Sequence, residues 1–132
     1  MPSIRKEIST RASPQAVWAA IEDIGALHTR LVPGFVTDTR LEPGARLVTF
    51  ANGMQARELI VDVDAQARRL VWTIVGGRMS HHNGAIQVFD QGSGSRVVWV
   101  ADLLPAGMKE PVEGMMGQGM AVMQRTLDAL AS

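Results

Sequence analysis

The stretch from Met108 to Ser132 constrains the fold of this chain more than any other. It holds five of the eight methionines, and most of its apolar residues recur at helical spacing. Val112, Met116, Met120, Met123, Leu127 and Leu130 follow an i, i+4, i+7 pattern, while Gln118, Arg125 and Asp128 fall on the other side. Pro111 suits a first turn, whose amides have no helical partner. Gly114, Gly117 and Gly119 each cost about 0.5–1 kcal/mol against alanine in a helix interior. Gly119 lies at the edge of the apolar stripe and the other two lie towards the polar side. An amphipathic helix with a polarizable face is therefore predicted, and that face must be buried against something. Either its methionines fill irregular gaps in a core, or they line one wall of an adaptable pocket in which Gly119 leaves room for a ligand.

The residues before it supply the surface to be covered. Ser3 to Ala12 alternates and reads as a strand exposed on one side. Ser13-Pro14 is an N-cap followed by proline at the first helical position, opening a helix with Val17, Trp18 and Ile21 on one face that stops near Gly25. A second short helical piece runs from about Ala26 to Val32. From Phe35 onward the pattern is strand and turn. Strands are predicted at Phe35–Leu41, Ala45–Ala51, Met54–Val63, Leu70–Val75, His81–Asp90 and Val97–Leu104. Pro43-Gly44 fits the centre of a type II turn, and Asn52-Gly53 is a strong hairpin signal. One strand, two short helices, six antiparallel strands and a long helix make an α+β domain over residues 1–132. Short connections favour a consecutive meander, which the last helix alone is placed to cover.

With 132 residues, one domain can bury roughly two-thirds of its unfolded surface. Thirteen basic residues balance thirteen acidic ones, which argues against nucleic acid and anionic membranes as partners. The absence of cysteine excludes disulfides, thiol catalysis and cysteine-based zinc sites. The first residues form no apolar leader and no run approaches a membrane span, so a cytoplasmic protein, monomer or homodimer, is expected. No cofactor is expected either, because no phosphate loop, dinucleotide fingerprint or Ser-His-Asp pattern is present.

Several short motifs, taken in order, resemble the START-like, helix-grip superfamily, and most closely its bacterial polyketide cyclase/dehydrase branch, the SRPBCC proteins. They are Ser13-Pro14 with Val17-Trp18, Arg57-Glu58-Leu59 leading to Asp62-Val63-Asp64, and Leu70 to Gly77. His82-Asn83, Trp99 with Asp102-Leu103-Leu104-Pro105, and Gln118-Gly119 with Thr126-Leu127 complete them. The resemblance spans the chain. It implies a seven-stranded antiparallel sheet curled around the C-terminal helix, with an apolar cavity between them. Position by position, it implies cavity-lining roles for Glu58, Trp72, Ile74, His81, Asn83, Ala85, Met116, Met120 and Gln124. The gate loop of the plant hormone receptors in that superfamily is replaced here by Asn52-Gly53, and no matching latch follows Gly76-Gly77, so receptor function is not implied.

Among groups able to do chemistry, Glu58 is the most informative. The apolar alternation of Leu59, Val61 and Val63 turns it outward and the resemblance turns it inward; a β-bulge would reconcile the two. Buried, it is a candidate general acid or base; otherwise it is a solvated strand carboxylate. His81 and His82 point to opposite faces of one strand, so they cannot share a metal, and no third ligand stands at zinc-like spacing. One of the two must face the concave side, where with Asn83 or Gln87 it would orient a ligand's carbonyl or hydroxyl, or else serve as a satisfied structural histidine; His81, with the parity of Asn83, Ala85 and Gln87, is the second catalytic candidate. Asp102 is either neutralised by Arg78, Arg46 or a helix-end contact or on the outer face. The expected ligand set adds Gln87, Gly119 and Met123 to the residues above. The leading expectation is a binder of a small hydrophobic molecule, lipid-like or aromatic. An aromatase/cyclase or dehydrase acting through Glu58 or His81 is the alternative, and a protein-interaction module the third.

Overall fold

Turn chemistry cuts the chain into these elements within residues 2–131, which the computed structural model describes; Met1 and Ser132, the ends of the expected domain, lie outside them. Strand β1 (Ser3–Thr10) leads to helix α1 (Pro14–Glu22). The Ser13 hydroxyl caps α1 by accepting from the Ala16 amide at 3.2 Å, with Pro14 in the first turn. A single 3-10 turn (Ile24–Ala26) and a π-helical turn (Leu27–Leu31) form the second helical piece. There follow β2 (Val36–Glu42), β3 (Ala45–Phe50), β4 (Gln55–Asp64), β5 (Arg69–Val75), β6 (His81–Gln91) and β7 (Gly94–Leu104). A 3-10 turn (Ala106–Met108) then enters helix α2 (Lys109–Leu130).

The seven strands form one antiparallel sheet in the order β1-β7-β6-β5-β4-β3-β2. The meander expected for β2 to β7 is present, and β1 completes it by pairing with β7. Gly44 takes φ +67° beside Pro43, as the third position of a type II turn requires. The Asn52-Gly53 connection is wider than a two-residue hairpin. Residues 51–54 are outside both strands, Phe50 N–H donates to the Met54 carbonyl at 2.8 Å, and the Asn52 side chain accepts from the Met54 amide at 3.0 Å.

Strand β4 contains the irregularity that decides which way its side chains point. Ile60 pairs with Trp72, yet Asp62 pairs with Val71, leaving Val61 as the extra residue of a bulge. Val61 and Val63 are exposed, at 60% and 44% of full accessibility, while Glu58 is buried and Ile60 packs against the core. The apolar alternation of Leu59, Val61 and Val63 therefore does not mark the core face.

Helix α2 covers the concave side of the sheet. Val112, Met116, Gly119, Met120, Met123 and Leu127 are buried, against Ile4, Ala101 and Leu103 at its start and Trp72, Ile86, Val88 and Val97 further along. Its second half is tied to β1 by polar bonds: Gln124 Nε2 donates to the Ser9 carbonyl at 2.8 Å, and Thr10 Oγ1 donates to Asp128 Oδ1 at 2.6 Å. The stripe read from the sequence runs one turn too far, since Leu127 is fully buried and Leu130 is 53% exposed. Leu127→Ala should accordingly cost about 2–5 kcal/mol, and Leu130→Ala no more than about 0.5 kcal/mol. Equilibrium denaturation of the two variants measures the difference directly.

Candidate functional site

A cavity of about 540 Å³ lies between the concave sheet and α2, walled also by the short helical pieces after α1. Its apolar lining includes Leu27, Leu31, Phe35, Val48, Phe50, Leu70, Trp72, Ile74, Ile86, Trp99, Met116 and Met123. The exposed lining residues come from three segments: Met54 and Gln55 where the β3–β4 connection enters β4, Val75 to Arg78 from the end of β5 into the following loop, and Pro111 at the start of α2. Met79, Met108 and Met115 stand beside them, so the mouth is edged by unbranched, adaptable side chains. The floor is held by close backbone approach: a Cβ on Gly84 would lie 2.5 Å from the Trp72 indole, so only glycine lets that ring lie against β6. Trp72 then meets Trp99 with ring centroids 6.3 Å apart.

Few polar groups reach this interior, and they follow the pairing of the strands. Arg46 on β3 is directly opposite Glu58 on β4, and Glu58 is opposite Ile74 on β5. Arg46 Nε donates to Glu58 Oε1 at 2.8 Å, and both side chains are almost fully buried, at 4% and 8% exposure. Arg46 Nη1 also donates to the Ile24 carbonyl at 3.2 Å, and its guanidinium carbon is 5.8 Å from the centre of the Trp72 ring. The pair is thus fixed from three sides. On the far side of Ile74 stands His82, also buried and part of the lining. Burial pushes its pKa below the ordinary histidine value, and the neighbouring His81 lowers it further. Its Nδ1 is buried with no hydrogen-bond partner among the described residues.

The expected site residues divide accordingly. Glu58, Trp72, Ile74, Met116 and Met123 line the cavity. His81, Asn83, Ala85 and Gln87 do not. The pairing of Ile86 with the inward Trp99 places even-numbered β6 residues on the concave side, so His82 faces in and His81 faces out. A one-residue error in register moves every side chain of a strand to the other face. Asn83 is exposed, Ala85 is covered on the outer face between Val71 and Val100, and Gln87 donates to the Ala67 carbonyl. Gly119 marks no open space, because a Cβ there would meet Phe35 at 3.0 Å and Trp99 at 3.3 Å. Met120 is packed in the core, and Gln124 is engaged with β1. Asp102 is exposed on the outer face, opposite Ser3 and Asn83.

Arg46, His82, Trp99 and the rim methionines complete the site without having been singled out as lining residues. For Arg46 a signal exists in the sequence: it and Glu58 are equidistant from Asn52, as cross-strand partners in a hairpin centred there must be. Among the described residues, no group of three histidine, aspartate or glutamate side chains is arranged to hold a metal ion. Among the described residues, no helix is long and apolar enough to cross a membrane.

Comparison with known proteins agrees with this architecture. A family model described as polyketide cyclase / dehydrase and lipid transport matches residues 1–132. No curated protein matches the chain. Among solved structures, the protein XoxI from Bacillus cereus is similar at 18% identity with a TM-score of 0.86, covering 100% of this chain and 99% of that one. A START superfamily protein from Mycobacterium smegmatis is similar at 9% identity and a TM-score of 0.72, covering 98% and 96%. A norcoclaurine synthase point mutant from Thalictrum, in complex with a transition-state analogue, is similar at 20% identity and a TM-score of 0.72, covering 99% and 96%. At these identities the likeness is one of fold: the START-like sheet gripping a C-terminal helix.

Two outcomes test the energetics of the polar row. Glu58→Leu should cost about 3–5 kcal/mol by leaving a buried guanidinium unpaired, and adding Arg46→Met should recover most of that loss; chemical denaturation of the single and double variants gives the coupling. His82 is easier to protonate in the unfolded chain than in the folded one. It therefore lowers stability as pH falls from neutrality through the ordinary histidine range. Melting temperatures of His82→Gln should show a flatter acid limb than those of the wild type.

Proposed function

We propose a binding function for this chain, which belongs to the polyketide cyclase / dehydrase and lipid transport family: it holds a small, mainly apolar molecule, lipid-like or aromatic, between the sheet and α2. The observation that carries this reading is the cavity itself, of about 540 Å³ and lined almost wholly by apolar and aromatic side chains. Its volume falls within the range of roughly 300–1,000 Å³ usual for small-molecule sites, with few polar groups placed to orient a ligand. The mouth edged by methionine supports entry of ligands of differing shape. Glu58 and His82 replace the expected pair of Glu58 and His81 as the groups available for recognition.

An enzyme acting on a keto substrate is the second reading, favoured by Glu58 and His82 on one cavity wall. Two features place it second. One oxygen of Glu58 is already engaged by Arg46. Its strand lies two away from that of His82, with Ile74 on the strand between, so the two groups are not hydrogen-bonded neighbours. Turnover of a short poly-β-keto thioester that is lost in His82→Phe, while apolar dye uptake is kept, would reverse this ranking.

Tryptophan emission tests the binding reading. Trp72 and Trp99 line the cavity, whereas Trp18 on α1 does not. Titration with an apolar naphthalene dye should change emission in the wild type. Trp72→Phe and Trp99→Phe should each remove part of that change and Trp18→Phe none of it. A response carried wholly by Trp18, or no dye uptake at all, would contradict the reading.

A further inference from the structure

The cavity's interior charges cancel. Arg46 and Glu58 are 3% and 6% exposed and bound to each other, so one cation meets one anion. His82, the remaining titratable group of the interior, is held towards its neutral form by burial and by His81. Arg78 is the other charged lining residue, and it is exposed at the mouth, where water screens a charge and an ion pair contributes little. A carboxylate or phosphate drawn into this interior would face one guanidinium already neutralised by Glu58. The result is two anions against one cation in a low-dielectric space, where desolvation outweighs the remaining attraction. An alcohol, phenol or ketone meets no such cost. A hydroxyl can donate to Glu58 Oε2, which takes no part in the bond to Arg46, while a carbonyl can accept from the guanidinium.

We propose that the site selects uncharged ligands bearing a hydroxyl or carbonyl group and rejects anionic amphiphiles of the same shape, with the buried Arg46–Glu58 pair as the selecting element. This rests on the binding reading above and narrows it to a ligand class. Neutral aromatic alcohols, phenols and cyclic ketones fit; free fatty-acid carboxylates and phosphorylated lipids do not. It also gives Glu58 a role distinct from proton transfer. The carboxylate occupies the guanidinium that would otherwise capture an acid.

The pair naphthol and naphthoate, of one skeleton and differing in charge at neutral pH, provides the test. Competition against a bound apolar dye should show naphthoate binding the wild-type protein at least about tenfold more weakly than naphthol. In Glu58→Gln, which keeps the shape of the side chain and frees the guanidinium charge, naphthoate should gain and the order should reverse. Naphthoate equal to or tighter than naphthol in the wild type would overturn the selection while leaving a binding cavity in place. An unchanged order in folded Glu58→Gln would overturn the role of the pair. Dye uptake with no competition from naphthol would refute the ligand class, and absence of dye uptake would refute the binding reading on which it rests. Should Glu58→Gln fail to fold, the wild-type comparison still decides the preference.

Discussion

A single helix cannot cover a seven-stranded sheet. Six inter-strand spacings of about 4.8 Å make a sheet roughly 29 Å wide, whereas a helix with its side chains is about 10–12 Å across. Curvature narrows the mismatch but does not remove it. Here α2 is committed to one side, where Gln124 and Asp128 bond to β1 and its apolar face meets β6 and β7. The uncovered remainder lies over β3, β4 and β5. The short helical pieces between α1 and β2 reach only part of it, and the space left is the cavity. The site therefore follows from the arithmetic of the fold as much as from any one residue.

That arithmetic also explains why charged groups are tolerated inside. A side chain at the edge of an unfilled space can be buried without being tightly packed, and one with a fixed partner avoids most of the desolvation penalty. Arg46 and Glu58 are cross-strand partners within the β3–β4 hairpin, whose register alone places them opposite each other. Trp72 and the Ile24 carbonyl then close around the guanidinium. The polar part of the site is thus local in sequence, while the apolar walls are assembled from most of the chain.

Most of the fold was legible from short-range signals. Ser13-Pro14, Pro43-Gly44 and the period-two strands each act over a few residues, and each element appears near its expected place. The site was harder, for reasons that differ by residue. Glu58 was ambiguous because the bulge at Val61 shifts the phase of β4, and a bulge has no signature in apolar alternation. His81 was chosen over His82 because a pair of adjacent histidines carries no parity of its own; the register is fixed by Ile86 facing Trp99 on a neighbouring strand. Gly119 looked like space because helical periodicity locates a face but not what packs on it, and Phe35 and Trp99 fill that place. Trp72 and Ile74 line the cavity, on a strand that alternates without interruption.

The rim of the cavity is drawn from the segment after Phe50, the loop after Val75 and the first turn of α2. Apart from Gln55 and Val75 at the strand ends, these residues lie outside the strands, and surface segments of this kind accept changes of length and composition far more readily than the strands they join. The floor, by contrast, is bound to cross-strand register and to the glycine beneath Trp72. Entrance and interior can therefore diverge at different speeds: which molecules are admitted can be altered by mutation without unsettling how the inner end of the pocket holds them.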